Sequence, residues 1–377
     1  MEIVQNRYIY TLMKIIETTI YQFKIPMIPF TIATGTMEYA QNVLIQIKTD
    51  QGIIGIGECS AFPMIVGETQ LSCYNNAKDF AQFWKGKDPL DIPQRMKELD
   101  LVIAGNNTAK SAFDLALYDI AAKAAGKPLY AFLGGKSKPI ETDLTIGIDT
   151  PESMAKDAID FVKQGVNIIK VKLGKDPVQD IERIKSIRES IGYDTKIRID
   201  ANQGWAKEEA LKVLEALAPY EIEFCEQPMR KYYDDYLPAL CAASPIAIMA
   251  DESVFTHHDA RRLIAEKACH SINIKFSKSG GIHEAIKIHA IAKANNIPCM
   301  MGGMLESRLA LSAKMHFAMA MDNVKYYDMD TCLLGHLEDP IIGGVQFNGM
   351  HLSISDTPGI GAEVDPAYLA KLDHFTV

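Results

Sequence analysis

From about residue 140 onward, short apolar stretches alternate with segments whose apolar residues recur every three or four positions. The stretches that read as strands are ETDLTIGI, NIIKVKLG, TKIRIDAN, EFCEQP, IAIMADES, SINIKFSK, IPCMMGGM and VKYYDMDT. Between them PVQDIERIKSIRESI, KEEALKVLEAL, DARRLIAEKA, IHEAIKIHAIAKA and SRLALSAKMHFAMA carry the helical period. Such alternation, with a repeat of about 25 residues, is the grammar of parallel βαβ units. Eight strands close economically into a barrel. An open doubly wound sheet is the alternative, but it would want a Gly-rich phosphate turn after its first strand, and none is present.

The first third reads differently. Residues 14 to 23 and 42 to 57 are β-rich, and Asp50-Gln51-Gly52 predicts a hairpin turn within the second stretch. Asn106 to Ala125 has helical spacing, closed by Gly126 and Pro128. This is α+β grammar, and 377 residues accommodate a barrel plus such a companion domain. Hydrophobic residues at 48% and charged residues at 23% fit an ordinary globular protein. A net charge of -9 argues against a nucleic-acid surface, which needs clustered Lys and Arg. Seven cysteines without CxxC spacing suggest neither a zinc cluster nor a disulfide framework, so a reducing cytoplasm is expected. No apolar run approaches the roughly 18 residues of a spanning helix, and Glu2 and Arg7 make the N-terminus a poor signal peptide. No membrane partner is expected.

In a barrel of this kind, chemistry sits where the strands end at their C-termini. Strand two ends in Lys170 and Lys172, strand three in Asp200 and Asn202, strand four in Glu226, strand five in Asp251 and Glu252, strand six in Lys275, and strand eight carries Asp328 and Asp330. Any one of these reads blandly as a solvated loop residue. The spacing changes that. Asp200, Glu226 and Asp251 end three consecutive strands, so a closed barrel aims three carboxylates at one spot, which is costly without a cation. Oxygen-only ligands select a hard ion, and Mg²⁺ leaves sites open for water and substrate. Lys172 and Lys275 flank the trio from opposite sides. Beside a divalent ion and the Lys170 ammonium, such a lysine is expected to move toward neutrality and serve as a base.

The strand ends KVK, DAN, CEQP, ADES and NIKFSKSGG, together with MLESRLALSA, resemble the muconate-lactonizing-enzyme subgroup of the enolase superfamily. The resemblance covers nearly the whole chain from Met13, including DLALYDIAAKAAGKPLYAFLGG, which is similar to the family's link from capping domain to barrel. It implies a modified TIM barrel, (β/α)7β, over residues 136–344 and an α+β capping domain over 13–135 with segment 345–377 packing back on it, while Met13-Lys14 reads as an alternative start that leaves 1–12 as a dispensable extension. It implies Asp200, Glu226 and Asp251 as Mg²⁺ ligands and Lys172 and Lys275 as the acid/base pair. A homo-oligomer is also expected.

Members of the subgroup share abstraction of a proton α to a carboxylate. Asp328-Met329-Asp330 puts two carboxylates on one strand face, a clamp suited to an ammonium group. Dipeptide epimerases resemble this arrangement, and an aromatic succinylbenzoate or a muconate has no cation to grip. Thr145, Lys170, Asn202 and Gly303 are expected to line the same pocket, with Thr145 donating to the substrate backbone. The capping-domain loop PFTIATGTMEYAQ, read as mobile, contains no Lys or Arg, and SAFPMIVGET is apolar. That lid favours Ala-Ala or Ala-hydrophobic dipeptides over Ala-Glu, whose buried charge nothing would offset. The competing readings are an o-succinylbenzoate synthase or N-acylamino-acid racemase of the same subgroup, and a non-catalytic binding barrel.

Overall fold

The structure is a computed structural model that describes residues 12–377. All but the last residue of the expected 1–12 extension therefore lies outside the described residues. The chain opens with an antiparallel sheet of β1 (Ile15–Ile32), β2 (Gly35–Thr49) and β3 (Ile54–Ser60), and the strand His374–Thr376 adds to the outer edge of β1. The hairpin at Asp50 to Gly52 joins β2 to β3 as its turn residues predict.

The expected mobile loop is instead ordered strand. Residues 29–32 and 35–41 continue β1 and β2 into a hairpin that turns at Ala33-Thr34. Backbone hydrogen bonds pin it to the barrel side: Ile148 donates to Thr31 O at 2.9 Å, Ile28 to Gly335 O at 2.8 Å and Leu337 to Pro26 O at 2.9 Å. The Thr and Tyr residues that looked like loop are good strand formers once a partner strand lies alongside.

The Asn107–Ala124 helix is buried around most of its circumference because it lies between this sheet and the barrel. Gly57 of β3 allows the approach, since a Cβ there would stand 2.0 Å from the Ala112 carbonyl oxygen. Its acidic side chains then join elements. Asp119 accepts from the Ile56 N–H at 3.0 Å and the Ile360 N–H at 2.7 Å, and Asp114 accepts from the Ile282 and His283 N–H groups that open the Ile282–Ala294 helix.

The second layer is an eight-stranded parallel sheet in chain order: β4 (Leu144–Ile146), β5 (Ile168–Lys172), β6 (Lys196–Asp200), β7 (Ile222–Glu226), β8 (Ile248–Ala250), β9 (Ser271–Ile274), β10 (Cys299–Gly302) and β11 (Val324–Asp328). Between its ends, Asp143 N–H donates to Tyr327 O at 3.3 Å and Met329 N–H to Thr142 Oγ1 at 2.7 Å, so the sheet curls into a barrel. All eight expected strands are present, though the expected SINIKFSK strand ends at Ile274, and after Lys275 the chain turns into the helix Phe276–Ser279. Thr150 and Asp176, each followed by proline, cap the Pro151–Lys163 and Pro177–Ile191 helices as that pairing dictates. Phe224, Met249 and Met300, with Tyr326 packed on them, fill the barrel interior beneath the polar strand ends. All seven cysteines are free thiols.

Glu58 of β3 makes a polar joint between sheet and barrel. Fully buried, it accepts from Asn42 Nδ2 at 2.7 Å, Ser307 N–H at 2.9 Å, Ser307 Oγ at 2.6 Å and Ala310 N–H at 3.2 Å, capping the Arg308–Ala320 helix. Glu58→Ala leaves these donors buried and unpaired, and equilibrium urea unfolding is expected to show a loss of roughly 2–4 kcal/mol. A loss below about 1 kcal/mol would show that the joint contributes little.

Candidate active site

Strand alternation places Lys170 and Lys172, Asp200, Glu226, Asp251, Lys275 and Asp328 at the same end of the barrel, and parallel register puts Lys172 opposite Asp200 and Asp200 opposite Glu226. All seven are buried. Lys170 Nζ lies 2.7 Å from Glu226 Oε2, 2.8 Å from Asp328 Oδ2 and 3.2 Å from Asp200 Oδ2. Lys172 Nζ is 2.6 Å from Asp200 Oδ2. Lys275 Nζ is 2.9 Å from Asp251 Oδ2 and 3.8 Å from Glu226 Oε1. Lys170 thus bridges Asp200 to Glu226 and Lys275 bridges Glu226 to Asp251, while among the described residues the carboxylates whose oxygens come within 4.8 Å of one another are those of Asp143, Asp328 and Asp330.

Burial disfavours the Lys275 ammonium, yet Asp251 and Glu226 outweigh it and hold its pKa above the ordinary lysine range, so it is not moved toward neutrality by its protein neighbours alone. The same carboxylates respond unequally. Burial pushes Glu226 up to about 7, aided by the Asp200 charge. Asp251 is held below the ordinary range: burial opposes ionisation, but Lys275 and Lys278 prevail.

The donor set fits a hard divalent cation. Glu226 Oε2 and both Asp251 carboxylate oxygens face ammonium nitrogens without a well-directed hydrogen bond, and the buried Glu252 Oε2 and Asn202 Oδ1 have no hydrogen-bond partner. Oxygen donors in need of positive charge, with no His or Cys among them, match such an ion.

Several neighbours were not singled out by sequence reasoning. Asn273 Nδ2 donates to Glu226 Oε1 at 2.6 Å and fixes that carboxylate. Lys278 braces Asp251, with Nζ 2.5 Å from its Oδ1. Lys314 pairs with Glu306 under the strand-seven turn and donates to Gly302 O at 2.8 Å. Asn273 had a signal, since it sits beside a strand end. Lys314 lies mid-helix and had none.

The substrate-side residues fall into two groups. Thr145 and Asp330 are in contact, with the Thr145 N–H donating to Asp330 Oδ2 at 2.7 Å, and Asp328 is tied to Lys170. Gly303 stands against this pair, where a Cβ would lie 2.5 Å from Thr331 Oγ1 and 3.1 Å from Asp328 O. Asn202 is turned toward the acidic trio: its N–H donates to Asp200 Oδ1 at 2.9 Å and its amide to Asp200 Oδ2 at 3.3 Å. Asp143, Asp328 and Asp330 form a further acidic group, with one oxygen from each within 4.8 Å of the others. Arg198 NH1 lies 2.8 Å from Asp143 Oδ2, which disfavours a divalent ion there.

On the capping-domain side, the hairpin and the 61–64 segment border a cavity of about 340 Å³ lined by Thr36, Met37, Glu38, Tyr39, Gln41, Ala61, Phe62, Pro63, Met64 and Leu305. Its lining includes one carboxylate and no basic residue. Among the described residues, no helix is long and apolar enough to cross a membrane.

Comparison with known proteins agrees with this geometry. Residues 15–134 match the mandelate racemase / muconate lactonizing enzyme N-terminal domain, and residues 153–368 match the enolase C-terminal domain-like family. A D-Ala-D/L-Ala epimerase of Cytophaga hutchinsonii is 43% identical over 93% of this chain and 95% of its own length. An L-Ala-D/L-Glu epimerase of Clostridium acetobutylicum is 37% identical over 89% of this chain and 94% of its own. A crystal structure of a dipeptide epimerase from Cytophaga hutchinsonii, complexed with Mg and D-Ala-L-Val, superposes with a TM-score of 0.95 at 42% identity, covering 97% of this chain and all of that one. With both halves of the family pattern spread over nearly its full length, the chain belongs to the mandelate racemase and muconate lactonizing enzyme group of the enolase superfamily.

Proposed function

We propose that this chain is a Mg²⁺-dependent dipeptide epimerase that inverts the α-carbon of the C-terminal residue, with small or apolar side chains preferred. The observation that carries the reading is that two lysines flank one buried acidic trio while the Asp328–Asp330 pair stands across Lys170 from it. The relatives' shared chemistry supports it.

Asp200, Glu226 and Asp251 would hold the ion, with Asn202, Asn273 and Lys278 fixing their orientation. When bound, Mg²⁺ supplies positive charge that offsets the negative charge developing on the substrate carboxylate. With the acidic trio engaged, Lys275 would lose the partners that hold it charged, and the Lys170 ammonium disfavours further positive charge beside it. One lysine then takes the α-proton from one face and the other returns a proton to the opposite face. Asp328 and Asp330 grip the substrate ammonium by charge-assisted hydrogen bonds and fix the α-carbon between the lysines. The cavity under the hairpin has no basic residue in its lining to offset an acidic side chain, and Glu38 would repel one.

Removal of Mg²⁺ by a chelator is expected to abolish turnover, as are Asp200→Asn, Glu226→Gln and Asp251→Asn, and full activity in excess chelator would refute the metal assignment. Lys172→Ala and Lys275→Ala should each stop epimerisation in both directions while leaving solvent exchange of one isomer, so retained epimerisation in either variant contradicts a two-base mechanism. Comparison of kcat/KM for Ala-Ala, Ala-Phe, Ala-Glu and N-acetyl-phenylalanine should rank the first two highest, and Asp328→Asn/Asp330→Asn should weaken dipeptide turnover by about tenfold or more, since a charged hydrogen bond contributes roughly 1.5–3 kcal/mol. Preference for the N-acyl compound would instead support a racemase, and preference for Ala-Glu would refute the cavity argument alone.

A further inference from the structure

Below the Asp328–Asp330 pair lies a third carboxylate that the proposed reaction does not use. Asp143 immediately precedes β4, is fully buried, and belongs to the group whose oxygens lie within 4.8 Å of one another. Its Oδ2 pairs with Arg198 NH1 at 2.8 Å. That guanidinium is itself immobilised, 5.3 Å from the ring centroids of both Phe224 and Tyr326 and bonded through Nε to Glu223 at 2.7 Å. The other oxygen, Asp143 Oδ1, is buried and has no hydrogen-bond partner. A carboxylate oxygen in that state is costly unless positive charge or a proton reaches it.

The charged groups facing the trio cannot supply enough of it. Lys170 from β5 is divided among Asp328, Asp200 and Glu226. Arg198 from β6 is divided between Asp143 and Glu223. Lys275, just past β9, and Lys172 from β5 act on Asp328 but are paired with Asp251 and Asp200. Burial and the Asp328 charge push Asp330 up to about 7. Burial and the same charge raise Asp143 as well, while Lys170 and Lys275 hold Asp328 down to about 2 despite its burial.

Resting on the dipeptide reading above, we propose that Asp143 is a positioning residue of the ammonium site, and that the three carboxylates share one proton which the substrate's ammonium displaces. The carboxylic O–H releases its proton to solvent and an ammonium N–H donates to the freed oxygen, with no bond to carbon changed. Because the raised carboxyl holds its proton below about pH 7, dipeptide affinity falls as pH drops through that value, and it falls again above about pH 8 as the dipeptide's own α-ammonium deprotonates. A ligand without the ammonium displaces nothing.

The test is calorimetric titration of the Mg²⁺-loaded enzyme with L-Ala-Gly, which carries the ammonium but has no second stereocentre to invert. At about pH 6.5, in two buffers of widely different ionisation enthalpy, the heats should differ by the release of most of a proton per site. N-acetyl-Ala-Gly should release none. Asp143→Asn should bind L-Ala-Gly within about tenfold of the parent but without proton release. Asp330→Asn leaves the Arg198 pair intact, and it should lose the release as well. Buffer-independent heats in the parent enzyme, or undiminished release in both variants, would overturn the inference while leaving the epimerase reading intact. Failure to bind L-Ala-Gly together with binding of an N-acyl amino acid would overturn the dipeptide reading, and this inference with it.

Discussion

The site depends on mutual neutralisation of buried charge. Lys170, almost completely excluded from solvent, holds Asp200, Glu226 and Asp328 within 3.2 Å of one ammonium nitrogen. None of these groups could be buried alone without a penalty of several kcal/mol. Together they couple the acidic trio to the Asp328–Asp330 pair across the barrel mouth. Anything that engages the trio therefore changes the charge felt by the pair, and the geometry links the two halves of the proposed chemistry.

The rest of the fold serves to hold that charge cluster dry and in register. Phe224, Met249 and Met300 close the barrel floor. The capping sheet is fastened over the other side by carboxylates buried at helix starts, Glu58 on the Arg308–Ala320 helix and Asp114 on the Ile282–Ala294 helix. Fixed N–H groups at a helix start let a carboxylate lie buried at a joint between layers. The hairpin bearing Met37 and Tyr39 is then held against the barrel by backbone hydrogen bonds, which makes the neighbouring cavity a formed wall.

Much of this was legible because it is periodic. Eight apolar runs, each followed by polar residues, revealed the barrel, and the positions ending those runs revealed Lys172, Asp200, Glu226, Asp251 and Lys275. The less legible features depend on long-range pairing. The segment around Thr31 and Thr36 looks like loop until β1 and β2 are seen to continue through it. Asp143 precedes its strand instead of ending it, and only barrel closure brings it to Asp328 and Asp330. The charge state of Lys275 depends on whether Asp251 is shared with a cation, which no local sequence pattern encodes.

If this pocket labilises the α-proton of a dipeptide's C-terminal residue, incubation of the Mg²⁺-loaded enzyme with a dipeptide library in deuterated water, read by NMR and mass spectrometry, should place deuterium at the C-terminal Cα of small and apolar dipeptides, with formation of the second diastereomer and no label at the N-terminal Cα. Absence of exchange across the whole library, with exchange confined to N-acylated amino acids, would contradict it.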